Sequence, residues 1–117
     1  MIDDPNIRLS EVSAIGYMMK HGLSDYAVKI SNYVLLATLR KSRGMLGVLE
    51  SNLALLTDLY TKGKIYEPEL MACETLILFL VNSIGMIRAE MGMKPSPIAQ
   101  KCIGIIDRFQ ESITTAV

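Results

Sequence analysis

The sequence predicts an all-α fold, a compact bundle of four to five antiparallel helices around a central apolar helix at about 68–91. Three observations carry that expectation. Apolar residues recur at intervals of three and four along most of the chain, the period of an amphipathic helix. Residues that start and stop helices bracket those stretches. No stretch alternates apolar and polar residues long enough to make a strand. The 117 residues fit one domain, and short connections favour antiparallel neighbours.

Asp3-Asp4-Pro5 reads as a helix-start region, and the first helix is expected over about 9–21. Val12, Ile15, Met18 and Met19 form its apolar stripe, and Gly22 follows as the stop. Ser24 then caps a second helix, about 24–43. Tyr26, Ile30, Tyr33, Leu36 and Ala37 share one side of it, with Asp25, Lys29, Asn32 and Arg40 towards the other. Arg40, Lys41 and Arg43 complement the negative end of the helix dipole, and Gly44 is the expected terminator.

The third helix, about 45–62, has the cleanest pattern. Leu46, Leu49, Leu53, Leu56 and Tyr60 form a seam that Met45, Val48, Leu55 and Leu59 widen. Glu50, Ser51, Thr57, Asp58 and Thr61 are expected on its wet side, and Gly63 ends it. A rival parse joins the second and third helices into one, kinked near Gly44 and Gly47. Glycine costs about 1 kcal/mol against alanine in a helix interior, so two of them favour a break.

Pro68, flanked by Glu67 and Glu69, opens the fourth helix, about 67–91. Residues 76–81 are six consecutive large apolar side chains, so this helix carries apolar groups on every side and calls for cover all round. Leaving three of them in water would forfeit about 5–9 kcal/mol. Met93-Lys94-Pro95-Ser96-Pro97 is a loop whose Ser96 caps a fifth helix, about 96–114. Ile98, Cys102, Ile105, Phe109 and Ile113 are its expected stripe, with Ile103 and Ile106 beside it.

Composition narrows the function classes. Lys plus Arg and Asp plus Glu are both 12, which leaves no pronounced basic surface for nucleic acid and little charge to oppose self-association. The acidic N-terminus lacks the apolar core of a secretory signal, and Cys73 and Cys102 read as small buried hydrophobes in a reducing compartment. A cytoplasmic protein is therefore expected. Glu74, Asn82 and Ser83 interrupt the most apolar window, which argues against membrane spanning.

Chemistry is hard to find in this chain. His21 is the single histidine and sits at a helix end with no spaced nucleophile or carboxylate. No cysteine or histidine spacing suggests a metal, and Gly44-x-x-Gly47 is not a phosphate loop. The sequence thus points to a non-enzymatic protein–protein interaction module without cofactors, an adaptor, assembly factor or regulator that pairs with itself as a homodimer or higher oligomer. A further protein partner is also expected. The expected interface is an arc of the fourth helix where apolar and hydrogen-bonding groups mix: Met71, Glu74, Leu78, Val81, Asn82, Gly85 and Arg88. The alternative is a helix-turn-helix DNA-binding regulator over residues 9–43. Ser24, Lys29 and Asn32 would face DNA, while Arg40, Lys41 and Arg43 reach phosphates. Met18 at the crossing, Asp25 near phosphate and the neutral charge count against it.

Overall fold

The computed structural model describes residues 14–116. Four helices pack together: α1 (Ala14–Arg40), α2 (Arg43–Thr61), α3 (Leu70–Glu90) and α4 (Pro97–Ala116). A single 3₁₀ turn, Glu67–Glu69, leads into α3, and the described residues contain no strand. The start expected near residue 9 and the stripe side chains Val12, Ile15 and Met19 lie outside the described residues.

The two N-terminal helices expected from sequence run together as α1, bent where Gly22 takes φ 87° and ψ 163°. That conformation suits only glycine, so one residue makes the whole break. Tyr17 bridges the bend. Its ring lies 4.4 Å from that of His21 and 6.2 Å from that of Tyr26, and Lys29 Nζ sits 5.2 Å from its centre. Beyond the bend, Tyr26, Ile30, Tyr33 and Ala37 are buried at the expected helical spacing.

The end of α1 differs from expectation. Gly44 does not terminate it, and neither Gly44 nor Gly47 makes a kink, since both lie inside α2. Lys41 adopts the left-handed conformation (φ 50°) and donates its N–H to Ala37 O at 2.8 Å, the bond of an αL cap. Ser42 follows as N-cap, its Oγ accepting from Met45 N. Gly63 ends α2 as expected, and Gly92 ends α3 in the same way. Lys64 N reaches Leu59 O and Met93 N reaches Arg88 O, the long bonds of Schellman motifs closed by glycines with φ near 70°.

Side chains from all four helices join one hydrophobic core. Its middle is α2, not the helix at 68–91. The α2 helix packs broadly against each of the other three. It buries Met45, Leu46, Leu49, Leu53, Leu56 and Tyr60 together with residues to either side of that seam, about half of its circumference at 3.6 residues per turn. The α3 helix buries a narrower strip, Cys73, Leu76, Ile77, Leu80, Ile84 and Ile87. The physical reason is that apolarity measures how much cover a helix calls for, not how much its own chain supplies. In α4 the buried side runs through Ala99, Cys102 and Ile106, with Phe109 partly buried. Ile98, Ile103 and Ile113 are exposed, so its stripe is turned from the expected one.

Two residues assigned to the wet side of α2 are buried. Glu50 Oε2 receives Ser96 Oγ at 2.5 Å and Arg88 Nη1 at 3.1 Å, tying α2 to α3 and to the start of α4. Ser96 Oγ in turn caps α4 by accepting Ala99 N. Thr57 is also enclosed, and its Oγ1 has no hydrogen-bond partner. Tyr26 donates to Asn52 Oδ1 at 2.8 Å inside the core, and Asn52 Nδ2 donates to Val48 O. That bond fixes the register of α1 on α2.

Candidate interaction surface

The α3 helix divides into two unlike sides. One is the buried strip facing α2. The other is open, and every exposed residue on it between Met71 and Ala89 is uncharged. Met71 is 82% exposed, Leu78 is 48% exposed, and Phe79 and Met86 stand out beside them. Thr75 and Asn82 are the polar members, and Thr75 turns its hydroxyl back to Met71 O. Spacings of three, four and seven place these residues on one side of the helix. An exposed helix side without charge is unusual for a monomer, whose largest apolar patches often prove functional.

The residues expected as an interface separate into three groups. Met71, Leu78, Asn82 and Gly85 lie on the exposed side. Val81 is half-buried at its border and packs against the core. Glu74 and Arg88 are engaged inside the subunit. Glu74 Oε2 accepts the Tyr60 hydroxyl at 2.9 Å, where Phe109 meets the Tyr60 ring edge-on at 5.3 Å. Arg88 turns inward, with Nη1 on Glu50 and Nε donating to Lys94 O at 2.6 Å. It serves as a strut between helices, so its place on the open arc is corrected. Sequence reasoning missed Phe79 and Met86, although both fall within four residues of Asn82 on the same side. The signal was present in the spacing but masked by the uniformly apolar run.

A groove of about 350 Å³ continues this surface between α3 and α4. Val81, Gly85 and Arg88 line one wall, while Met93, Ala99 and Ile103 line the other. A second hollow, about 480 Å³, lies between the outer side of α2 and α4, against Leu55, Asp58, Ile98, Lys101 and Ile105. Among the described residues no cluster of histidine, cysteine or carboxylate side chains could hold a metal.

Burial dominates the titrating groups. It pushes the Cys73 thiol up to about 12, with Glu69 and Glu74 adding to the effect. The thiol therefore stays protonated and unreactive. The Tyr60 phenol is raised first by desolvation and then by its bond to Glu74. Tyr26 is raised well above the tyrosine range, chiefly by burial.

Of the residues considered for DNA contact, Ser24, Asn32, Arg40, Lys41 and Arg43 are exposed, and Lys29 is half-exposed over Tyr17. The turn between the two limbs of α1 is the single residue Gly22, whereas a helix-turn-helix uses three or four. Residues Glu67–Glu90 are long and apolar enough to cross a membrane by length and composition, a test that core helices of soluble proteins also pass. Comparison with protein-family models, with curated proteins and with solved structures finds no match to this chain.

Proposed function

We propose that this protein is a helical interaction module that acts by self-association through the outer side of α3, as an adaptor, assembly factor or regulator in the cytoplasm. One observation carries the reading: an uncharged, solvent-facing helix side bearing Met71, Leu78, Phe79 and Met86. The adjoining groove beside Val81 and Gly85 offers a recess for a partner side chain. A protein-facing role suits α3 better than membrane insertion, because its other side is committed to the subunit's own core.

Magnitude sets the strength of the contact. Covering four partly exposed side chains stabilises by about 3–5 kcal/mol per copy, and a symmetric pair doubles that. Association itself costs about 4 kcal/mol or more, so a weak contact of about tens of micromolar is expected. Light scattering after size-exclusion chromatography, run at about 50 µM and above, checks this. Wild type is expected above monomer mass and Leu78→Lys closer to it, with unchanged helical circular dichroism. A wild type that stays monomeric at those concentrations would overturn the reading.

A further inference from the structure

The hollow between α2 and α4 has a lining that tight packing alone does not explain. Its volume, about 480 Å³, falls in the range of small-molecule sites, about 300–1,000 Å³. Leu55, Ile98 and Ile105 give it apolar walls, and exposed Lys101 stands at its rim. Thr57 belongs to the same lining and is 1% exposed, with a hydroxyl that has no hydrogen-bond partner. Thr38, Thr61 and Thr75 each donate to the carbonyl four residues back, and Thr57 does not. An enclosed hydroxyl left unbonded is costly, and folded proteins keep few of them.

We propose that this hollow binds a small apolar monocarboxylate of the medium-chain fatty acid class. The chain lies over Leu55, Ile98 and Ile105, and the carboxylate sits between Thr57 and Lys101. Two observations choose the head group. The first is charge. Asp58 beside the hollow is engaged by Lys62 at 3.1 Å, while Lys101 is in no ion pair among the described residues. An unpaired ammonium favours an anion and opposes a cationic ligand. The second is position. Glu50 meets Ser96 near one end of the two helices and Tyr60 meets Phe109 near the other, so α2 and α4 run side by side in one direction. That pairing sets Thr57 level with Ile105 and one turn from Lys101, about 5.4 Å, which a lysine side chain spans. A carboxylate has two acceptor oxygens, one for the Thr57 hydroxyl and one for the Lys101 ammonium. The site shares no residue with the open side of α3 and does not depend on self-association.

Calorimetric titration of the full chain with sodium decanoate and with decylamine hydrochloride tests the site, and methyl NMR locates the ligand. Decanoate is expected to bind with one-to-one stoichiometry, about tenfold tighter than decylamine. The methyl resonances of Ile98 and Ile105 should move with it. Lys101→Met is expected to remove the preference for the anion. Thr57→Val should weaken decanoate about fivefold and yet raise the thermal midpoint of the free protein, since it deletes an unbonded hydroxyl. A Thr57→Val chain that binds decanoate like wild type would show a hydroxyl that is only enclosed, or served by water, and would overturn the site. Equal binding of the two amphiphiles, or shifts confined to the Leu78 and Met86 methyls, would show adsorption to open apolar surface and overturn it as well. So would the absence of saturable decanoate binding below the concentration at which it forms micelles.

Discussion

The α2 and α3 helices make opposite use of their sequences. The α2 helix carries Glu50, Asn52, Thr57 and Asp58 yet sits in the middle of the core, and the first three of these are buried. The α3 helix has residues 76–81 without a polar atom in any side chain, yet leaves Leu78 and Phe79 exposed. What separates them is the breadth and phase of the apolar seam. A seam that three neighbours can share draws a helix inward, and polar residues come with it if partners await them. Uniform apolarity has no phase, so the subunit covers one side of α3 and leaves the other.

The largest effect should come from truncating the same residue type in the two helices. Leu53→Ala empties a fully buried site and is expected to cost about 2–5 kcal/mol, while Leu78→Ala should cost less than about 1 kcal/mol in the monomer. Urea denaturation at low protein concentration gives both values, and similar losses would break the contrast. Next comes the strut that joins the helices. Arg88→Met leaves the Glu50 carboxylate buried with only Ser96, a loss of about 3 kcal/mol, and Glu50→Leu added to it should recover most of that. Failure of the double variant to recover would show that Arg88 matters for packing rather than charge.

Alkaline stability sharpens the comparison further. Cys73 of α3 and Tyr26, bonded to α2, are both held protonated by burial, with folded pKa values raised above the ordinary 9.0 and 10.0. Raised values contribute stability that is complete below the unfolded pKa and is lost as pH rises past it, because only the unfolded chain then releases the proton. Unfolding free energy should therefore be level to about pH 8.5 and decline above it, with Cys73→Val removing the earliest part of the decline. A flat profile to pH 11 would contradict this. The smallest effect belongs to the exposed pair Asp58–Lys62, 3.1 Å apart. Lys62→Ala should change thermal stability by no more than about 0.5 kcal/mol.

Much of this arrangement is legible in the sequence, because local rules govern it. The buried lines of α1 and α2, the Ser96 cap and the closing glycines 63 and 92 all depend on residues within one turn of each other. Contacts between distant segments are not legible that way. Glu50 looks solvated until Arg88 and Ser96, 38 and 46 residues away, come to meet it. The α4 stripe is ambiguous in sequence because Ile98, Ile103, Ile105 and Ile106 spread over nearly half of the helix, and only the neighbouring surface selects its phase. Lys41, rather than the expected Gly44, closes α1, a position that no glycine marks in the sequence. On the candidate surface, periodicity places Met71, Leu78, Asn82 and Gly85 on one exposed side of α3, whereas Arg88, on that arc by spacing, is drawn inward by Glu50 and Lys94 O from distant segments.

The described fold measures 47 × 34 × 17 Å between extreme Cα positions, with a radius of gyration of 14.3 Å. Helices stack about 10 Å apart, so the shortest dimension admits only two tiers. No helix in such a slab has neighbours above and below; each is both wall and roof. A second slab laid on the first would change that without altering a single backbone angle. The outer helices would become inner ones, and their amides would gain hydrogen-exchange protection in proportion to protein concentration rather than to any change in fold.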